Sequence, residues 1–449
     1  MGRLFGTDGA RGVANSELTC ELAMQIGRAA AMVLTKQTNK KPKVLIGMDT
    51  RASSQMLESA ITAGLCSVGA DVLKLGVVPT PAVAYLVKEY GYDAGIMISA
   101  SHNPCEYNGI KIFQSNGFKL PDALEEEIEA IILDNATEIP TPIGGGVGNA
   151  SRNRDAINDY IEHLLSATNM SFKGYKIALD CANGSSSVSA EEVFTRLGAD
   201  VVVISDKPDG VNINKDCGST HLENLQKVVV ENGCDMGFAF DGDADRMLAV
   251  DHTGAIVDGD KCIAVCAKHM KQLGKLKKDT AVVTVMSNMG FFKFCEENGI
   301  KCEKTKVGDR YVLENMNENG YSIGGEQSGH IIFLKYATTG DGQLSAIQLL
   351  AVVKDTGKTL KELADEMEVY PQVLINVRVS NFGKAQFSKD KEVQNAIKKV
   401  EEKLGDDGRI LVRLSGTEPL IRVMLEGKNY EQIKELAESV ASVIKERLV

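Results

Sequence analysis

The chain has 449 residues, 43% of them hydrophobic and 25% charged, with a net charge of −11. At roughly 150 residues per domain this is material for about three domains, with two or four allowed. The acidic balance argues against a nucleic-acid binder, which carries a basic footprint; a small anionic substrate would need Arg and Lys concentrated locally. The N-terminal MGRLFGTDGARG lacks the apolar core of a signal peptide. No apolar run reaches the ~18 residues of a membrane span. The ten cysteines are scattered without a CxxC pair, which predicts reduced, mostly buried thiols in a cytoplasmic protein. Cys262 and Cys266, four apart on an expected helix, read as core packing.

One pattern occurs three times along the chain. An apolar strand ends in a polar turn, a helix follows, and a glycine stops the helix before another strand. The first copy is VLIGMDT (44–50), a helix to about 68, then GADVLKLG. The second is KIALDCA (176–182), a helix to about 197, then GADVVVIS. The third is AVVTVMS (281–287), a helix to about 298, then GIKCEKT. Gly69, Gly198 and Gly299 suit left-handed helix ends. Such units favour parallel or mixed sheets with right-handed crossovers, so three related α/β domains are expected. From about 368 the text changes to a smaller α+β unit. Its last helix, YEQIKELAESVASVIKERL, places Ile433, Leu436, Ala437, Val440, Val443 and Ile444 on one face.

Between the first and second copies, IPTPIGGGVGNASRN (139–153) reads as a linker. Its glycines miss the dinucleotide fingerprint at Asn149, and no strand–helix context surrounds them. DHTG (251–254) is a turn and a second candidate boundary.

DGDADR (241–246) follows the apolar stretch MGFAF. Three carboxylates converging at the end of a strand repel one another unless a cation sits among them. Hard divalent cations prefer such oxygens. A calcium loop needs Gly at its sixth position and Glu at its twelfth; Arg246 and His252 stand there instead. Three protein carboxylates leave coordination positions for water or a phosphate oxygen, which points to metal-assisted phosphoryl chemistry.

GIMISASHNPCEYNGIK (95–111) begins as a strand and breaks into a loop at Ser99, with Ser101 at its tip and Asn103-Pro104 forcing a turn. A Ser-His hydrolase built on Ser101 and His102 lacks both G-x-S-x-G and an orienting acid. Lys111 could supply charge or act as a base. In RLSGTEPLIRV (413–423) a small-residue turn lies between Arg413 and Arg422, a combination able to hold a phosphate. GGEQSGH (324–330) could hydrogen-bond sugar hydroxyls and offer His330 for proton transfer. FGTDGARG (5–12), with Arg11, and TKVGDRYV (305–312) are weaker polar loops of the same kind.

SASHNP, DGDADR, GEQSGH and RLSGTEPLIRV occur in this order across the chain. Together they resemble the α-D-phosphohexomutase superfamily over its full length. The resemblance implies four domains around a central cleft, at 1–153, 154–252, 253–367 and 368–449. FGTDGARG, VDGDK (257–261) and Gln327 are similar to the bacterial branch that acts on glucosamine phosphates. The phosphomannomutase/phosphoglucomutase branch, the alternative, usually has Met at that position.

The resemblance implies an intramolecular phosphotransferase that interconverts glucosamine 6-phosphate and glucosamine 1-phosphate for UDP-N-acetylglucosamine and cell-wall precursors. Ser101 would carry the phosphoryl group. Asp241, Asp243, Asp245 and the Ser101 phosphate would bind Mg²⁺. Lys111 and His330 would be the acid/base candidates, with Arg11 beside the transferring phosphoryl. Arg246, Asp309, Arg310, Glu326 and Ser328 would bind substrate. Arg413, Ser415, Gly416, Thr417 and Arg422 would hold the non-reacting phosphate. Glucosamine 1,6-bisphosphate or glucose 1,6-bisphosphate would prime the serine. The partner is a small hexosamine phosphate, with no nucleic acid or membrane; a homodimer is the assembly to test.

Overall fold

The computed structural model describes residues 3–6, 8–34, 41–415 and 419–449. They divide into two compact units, Met1–Met286 with Asn298–Glu366, and Ser287–Glu297 with Met367–Val449.

The first unit holds three sheets. The first comprises β1 (Phe5–Gly6), β2 (Gly9–Val13), β3 (Lys43–Met48), β4 (Asp71–Val77), β5 (Ala94–Ile98), β6 (Tyr107–Gln114) and β7 (Ala150–Arg152). Their order is β1-β2-β6-β5-β3-β4-β7, with β3 parallel to β4 and β5, and β6 antiparallel to β5 and β2. The second comprises β8 (Lys176–Asp180), β9 (Asp200–Ile204), β10 (Met236–Phe240), β11 (Met247–Asp251) and β12 (Ile256–Val257), in the order β12-β11-β10-β8-β9. The third comprises β13 (Thr280–Thr284), β14 (Lys301–Thr305), β15 (Ile323–Gly325) and β16 (Ile331–Phe333), in the order β14-β13-β15-β16.

Each expected strand–helix–strand copy forms a parallel pair: β3 with β4, β8 with β9 and β13 with β14. Gly69, Gly198 and Gly299 have φ of +94°, +95° and +61°, so each stops its helix in the left-handed region that glycine enters without strain. Burial explains the apolar runs. Val44, Leu45 and Ile46 of β3 are at most 2% exposed, and a parallel strand covered on both faces needs apolar residues at every position. Cys262 and Cys266 lie buried in the helix Gly259–Gln272, as core packing requires.

The segment expected to be only a linker contains β7, an edge strand parallel to β4. All three of its residues are exposed, so no apolar periodicity marked it. DHTG is the turn between β11 and β12, where the Asp251 carboxylate accepts from the Thr253 and Ala255 amides.

The second unit is built on the antiparallel strands β17 (Gln372–Arg378), β18 (Gly408–Leu414) and β19 (Leu420–Gly427), with β19 in the centre. The helix Tyr430–Leu448 buries Ile433, Leu436, Ala437, Val440 and Ile444, as the periodicity predicted; Val443 is partly buried beside them. The helix Met289–Glu297 also belongs to this unit: the buried Glu426 carboxylate accepts from the Met289 amide at 2.9 Å.

Candidate active site

The aspartate cluster lies directly after β10. Asp241, Asp243 and Asp245 are at most 2% exposed. Their backbone turns sharply because Ala244, between two of them, takes φ +57°. One carboxylate oxygen from each lies within 4.8 Å of the others. Burial and the neighbouring Asp245 and Asp243 charges push the Asp241 carboxyl well above the usual range. Against the same burial, Lys111 and His330 hold Asp245 well below it.

Two buried oxygens, Asp243 Oδ1 and Asp245 Oδ1, have no hydrogen-bond partner. Unpartnered buried carboxylate oxygens are costly. Converging hard-oxygen donors with lone pairs to spare therefore fit a divalent cation.

Ser101 follows β5 in a turn that the left-handed φ of +54° makes abrupt. It is fully buried, and its Oγ donates to Asp241 Oδ2 at 2.6 Å. Its amide donates to Ser99 Oγ at 3.0 Å, and that hydroxyl donates to Asp49 Oδ2 at 2.6 Å. His102 Nδ1 is 3.3 Å from Ser101 Oγ but accepts from Arg246 Nη1 at 2.9 Å. Burial and the Arg246 charge lower the His102 pKa to about 4. Its facing lone pair is therefore already engaged, and the imidazole is a poor base for the serine.

Lys111 rises from β6 into the same cluster. Its Nζ lies 2.7 Å from Asp243 Oδ2, 3.3 Å from Asp245 Oδ2 and 3.6 Å from Asp8 Oδ1. Burial disfavours its charge, but the three acids outweigh that and raise its pKa. In this state Lys111 is a proton donor and a positive charge, not a base. Arg11, on β2, pairs with Asp8, and its Nε is buried without a partner.

His330, after the 326–329 loop, is 2% exposed. Its Nδ1 lies 3.6 Å from Asp245 Oδ1, and its Nε2 lies 3.4 Å from Asp309 Oδ2. These acids raise its pKa against the effect of burial. The Gly340 amide donates to Nε2 at 2.9 Å, so in the neutral ring the proton sits on Nδ1, facing Asp245. Glu326 accepts from the Gly308 amide at 3.2 Å; burial and then Asp309 raise its pKa. Ser328 is exposed at the loop tip. Gln327 Nε2 donates to Asp258 Oδ2 at 3.1 Å, joining the GEQSGH and VDGDK motifs. Arg310 turns elsewhere: its guanidinium pairs with Asp122 and donates to both Glu125 oxygens at 3.0 Å.

In the second unit, Arg413 and Arg422 stand directly opposite each other on β18 and β19. Burial and the Arg422 charge lower the Arg413 pKa. Like charges in register are destabilising unless an anion lies between them. Ser415 is buried, with its carbonyl accepting from Lys384 Nζ at 2.8 Å. Gly416 and Thr417 lie outside the described residues.

Several participants belong to no motif read from the sequence. Thr80 Oγ1 donates to Asp243 Oδ2 at 2.6 Å. Lys119 Nζ joins Asp8, at 2.8 Å, to Asp309. Asp49, Arg51 and Asn214 hold the serine loop. Only Asp49 and Arg51 left a signal, a carboxylate and a guanidinium at the carboxyl end of a parallel strand, where α/β ligand sites gather.

Four family signatures, described as phosphoglucomutase/phosphomannomutase domains I, II, III and C-terminal, match residues 2–138, 158–254, 258–370 and 374–443. The phosphoglucosamine mutase of Caldicellulosiruptor bescii is 61% identical over 450 residues, covering 100% of both chains. The chain belongs to the phosphoglucosamine mutases of the α-D-phosphohexomutase superfamily. The superfamily fold is shared at much lower identity. A Burkholderia thailandensis phosphoglucomutase/phosphomannomutase family protein superposes with TM-score 0.82 at 24% identity, covering 99% of this chain and 97% of that one. The Aspergillus fumigatus N-acetylphosphoglucosamine mutase in complex with GlcNAc-6P and magnesium superposes with TM-score 0.71 at 18% identity, covering 99% and 96%. The four-domain architecture of this superfamily, three mixed-sheet α/β domains and a smaller α+β domain, is the one the sequence pattern predicted.

Proposed function

We propose that the chain interconverts glucosamine 6-phosphate and glucosamine 1-phosphate, with Ser101 as the phosphoryl carrier, in amino-sugar and cell-wall precursor synthesis. The observation that carries this reading is the buried Ser101 hydroxyl 2.6 Å from Asp241, within an aspartate triplet that has oxygens to spare. The named relatives support the choice of sugar.

Asp241, Asp243 and Asp245 would hold Mg²⁺, together with an oxygen of the Ser101 phosphate. When bound, this ion neutralises charge on the phosphoryl group. Phosphoserine brings about −1.5 to −2 charge, and Lys111 and Arg11 add positive charge beside it. The phosphoryl passes from Ser101 Oγ to the free hydroxyl of the sugar monophosphate, giving a 1,6-bisphosphate. The hydroxyl proton goes to a protein base, with Lys111 and His330 the candidates once either has given up its own proton. The bisphosphate turns round, and its other phosphoryl returns to Ser101. Catalysis rests on positioning and charge stabilisation.

Glu326 and Ser328 are assigned to sugar hydroxyls, with Arg246 and Asp309 behind them. Arg413, Ser415 and Arg422 are assigned to the non-reacting phosphate. Arg310 fits a substrate role less well than its neighbour, given its pairing with Glu125. Glucosamine 1,6-bisphosphate or glucose 1,6-bisphosphate would prime the serine. The absence of disulfides among the described cysteines supports a reducing, cytoplasmic setting. The domain divisions near 153, 252 and 367 belong to the same reading.

A panel of glucosamine, glucose and mannose phosphates, with Mg²⁺ and a bisphosphate activator, tests it. The amino sugar should give the highest kcat/KM. A preference of about tenfold or more for glucose or mannose phosphate, worth ~1.4 kcal/mol, would place the chain with the phosphomannomutase/phosphoglucomutase branch.

A further inference from the structure

Two side chains from separate segments grip the backbone of the serine loop. Arg51, wholly buried, donates from Nη2 to the carbonyls of Ser101 at 3.0 Å and Asn103 at 2.8 Å, and from Nη1 to that of Pro104. Its Nε is fixed on Asp49 Oδ2 at 2.9 Å. Asp49 also takes the hydroxyls of Ser99 at 2.6 Å and Ser54 at 2.8 Å. From the segment after β9, Asn214 Nδ2 donates to the same two carbonyls, Ser101 at 2.9 Å and Asn103 at 3.0 Å. Gly242, between two of the clustered aspartates, leaves room for this approach. A Cβ there would lie 2.6 Å from the Ser101 carbonyl and 2.8 Å from Asn214 Nδ2.

Both lone pairs of the Ser101 carbonyl are thereby used. The peptide they hold has a left-handed φ, uncommon for a residue with a side chain and kept only where the surroundings over-determine it. Turning that peptide would swing Oγ away from Asp241.

We propose that Arg51 and Asn214 are positioning residues: they aim Ser101 Oγ so that its phosphoryl group passes to a sugar hydroxyl rather than to water. The inference rests on Ser101 being the phosphoryl carrier. Transfer to the sugar needs one approach line, and a misplacement of about 1 Å costs on the order of 10²-fold. Water is small and attacks from more directions. In that side reaction the Oγ–P bond breaks, a water oxygen bonds to phosphorus, and one water proton returns to Ser101 as inorganic phosphate leaves. A loosened loop therefore loses transfer faster than hydrolysis.

Asn214→Gly and Arg51→Lys test this. Glycine keeps the φ of +56° at position 214 without strain, and lysine keeps a charge beside Asp49 while losing the fork. The full chain is primed with glucose 1,6-bisphosphate, and phosphoserine is followed by intact mass. The kcat, the KM and the inorganic phosphate released per turnover are then measured. Both variants should take up the phosphoryl group and keep KM within about threefold, while kcat falls about tenfold or more. Phosphate released per turnover should rise about tenfold or more. A folded variant whose phosphate release per turnover matches the wild type overturns the proposal, whether or not kcat has fallen. If Arg51→Lys does not fold, Asn214→Gly decides alone. A wild-type chain that takes up no phosphoryl group would instead refute the carrier role of Ser101, so the two failures are distinct.

Discussion

Ser101 Oγ and Asp241 Oδ2 are 2.6 Å apart, a serine donating to a carboxyl that burial and two neighbouring carboxylates have pushed upward. The pair explains why the serine and the aspartates must act together. A phosphoryl group on Oγ would bring more negative charge to a place already crowded with it. A cation among the oxygens, with Lys111 alongside, would offset that charge.

Asp243 holds that arrangement from two sides, accepting from Thr80 and Lys111 while keeping one oxygen spare. Asp243→Asn keeps the shape and removes the charge. The Mg²⁺ concentration for half-maximal activity should rise about tenfold or more, read from a metal titration of initial rates. An unchanged titration would remove Asp243 from the ligand set.

His102 is neutral and accepts from Arg246. His102→Gln retains an acceptor of similar reach, so kcat/KM should stay within about tenfold of wild type, a change of ~1.4 kcal/mol. Losing a true base for the serine would cost on the order of 10³-fold or more, and initial rates at pH 7.5 separate the two.

Gln327 donates to Asp258 and so ties the GEQSGH loop to the VDGDK segment. Gln327→Met leaves that carboxylate without its amide donor. The kcat/KM ratio of glucosamine 6-phosphate to glucose 6-phosphate should fall by about tenfold, measured in parallel assays. An unchanged ratio would mean that the sugar is chosen by other residues.

Asp341 starts the helix Gly342–Thr356, accepting from the Leu344 amide and from Tyr160 Oη. Burial, helped by Asp245, pushes its carboxyl up to about 7; an unfolded Asp titrates near ~3.9. Between those values the folded state holds the extra proton, so this group's contribution to stability falls as pH rises from about 4 to 7. Asp341→Asn keeps the cap and removes the titration. Its Tm relative to wild type should improve from pH 5 to pH 7 and level off by pH 8 in chelator-containing buffer. A constant difference would exclude the effect.

The architecture was legible where burial writes itself into the text. The runs of β3, β8 and β13 are apolar because both sheet faces are covered, and a glycine follows each helix because it must stop there. β7 left no such trace, being a short exposed edge. The aspartates were legible for a different reason: alternating carboxylates after a strand repel one another when packed together, a pattern that suits a cation. Lys119, Thr80 and Asn214 were not legible, since each is a single polar residue brought in from a distant segment by tertiary packing. Arg310 shows the same limit from the other side. The family resemblance implied it for substrate binding, while its guanidinium pairs with Glu125 and Asp122.

Phosphoryl occupancy of Ser101 tests the central claim most directly. Wild-type chain and Ser101→Ala are incubated with glucose 1,6-bisphosphate and Mg²⁺, then compared by intact mass and by glucosamine 6-phosphate turnover. The wild type should gain one phosphoryl group, located at Ser101 by peptide mapping. The folded variant should gain none and lose nearly all turnover. A Ser101→Ala chain that keeps more than about a tenth of the activity, ~1.4 kcal/mol of barrier, would contradict the account.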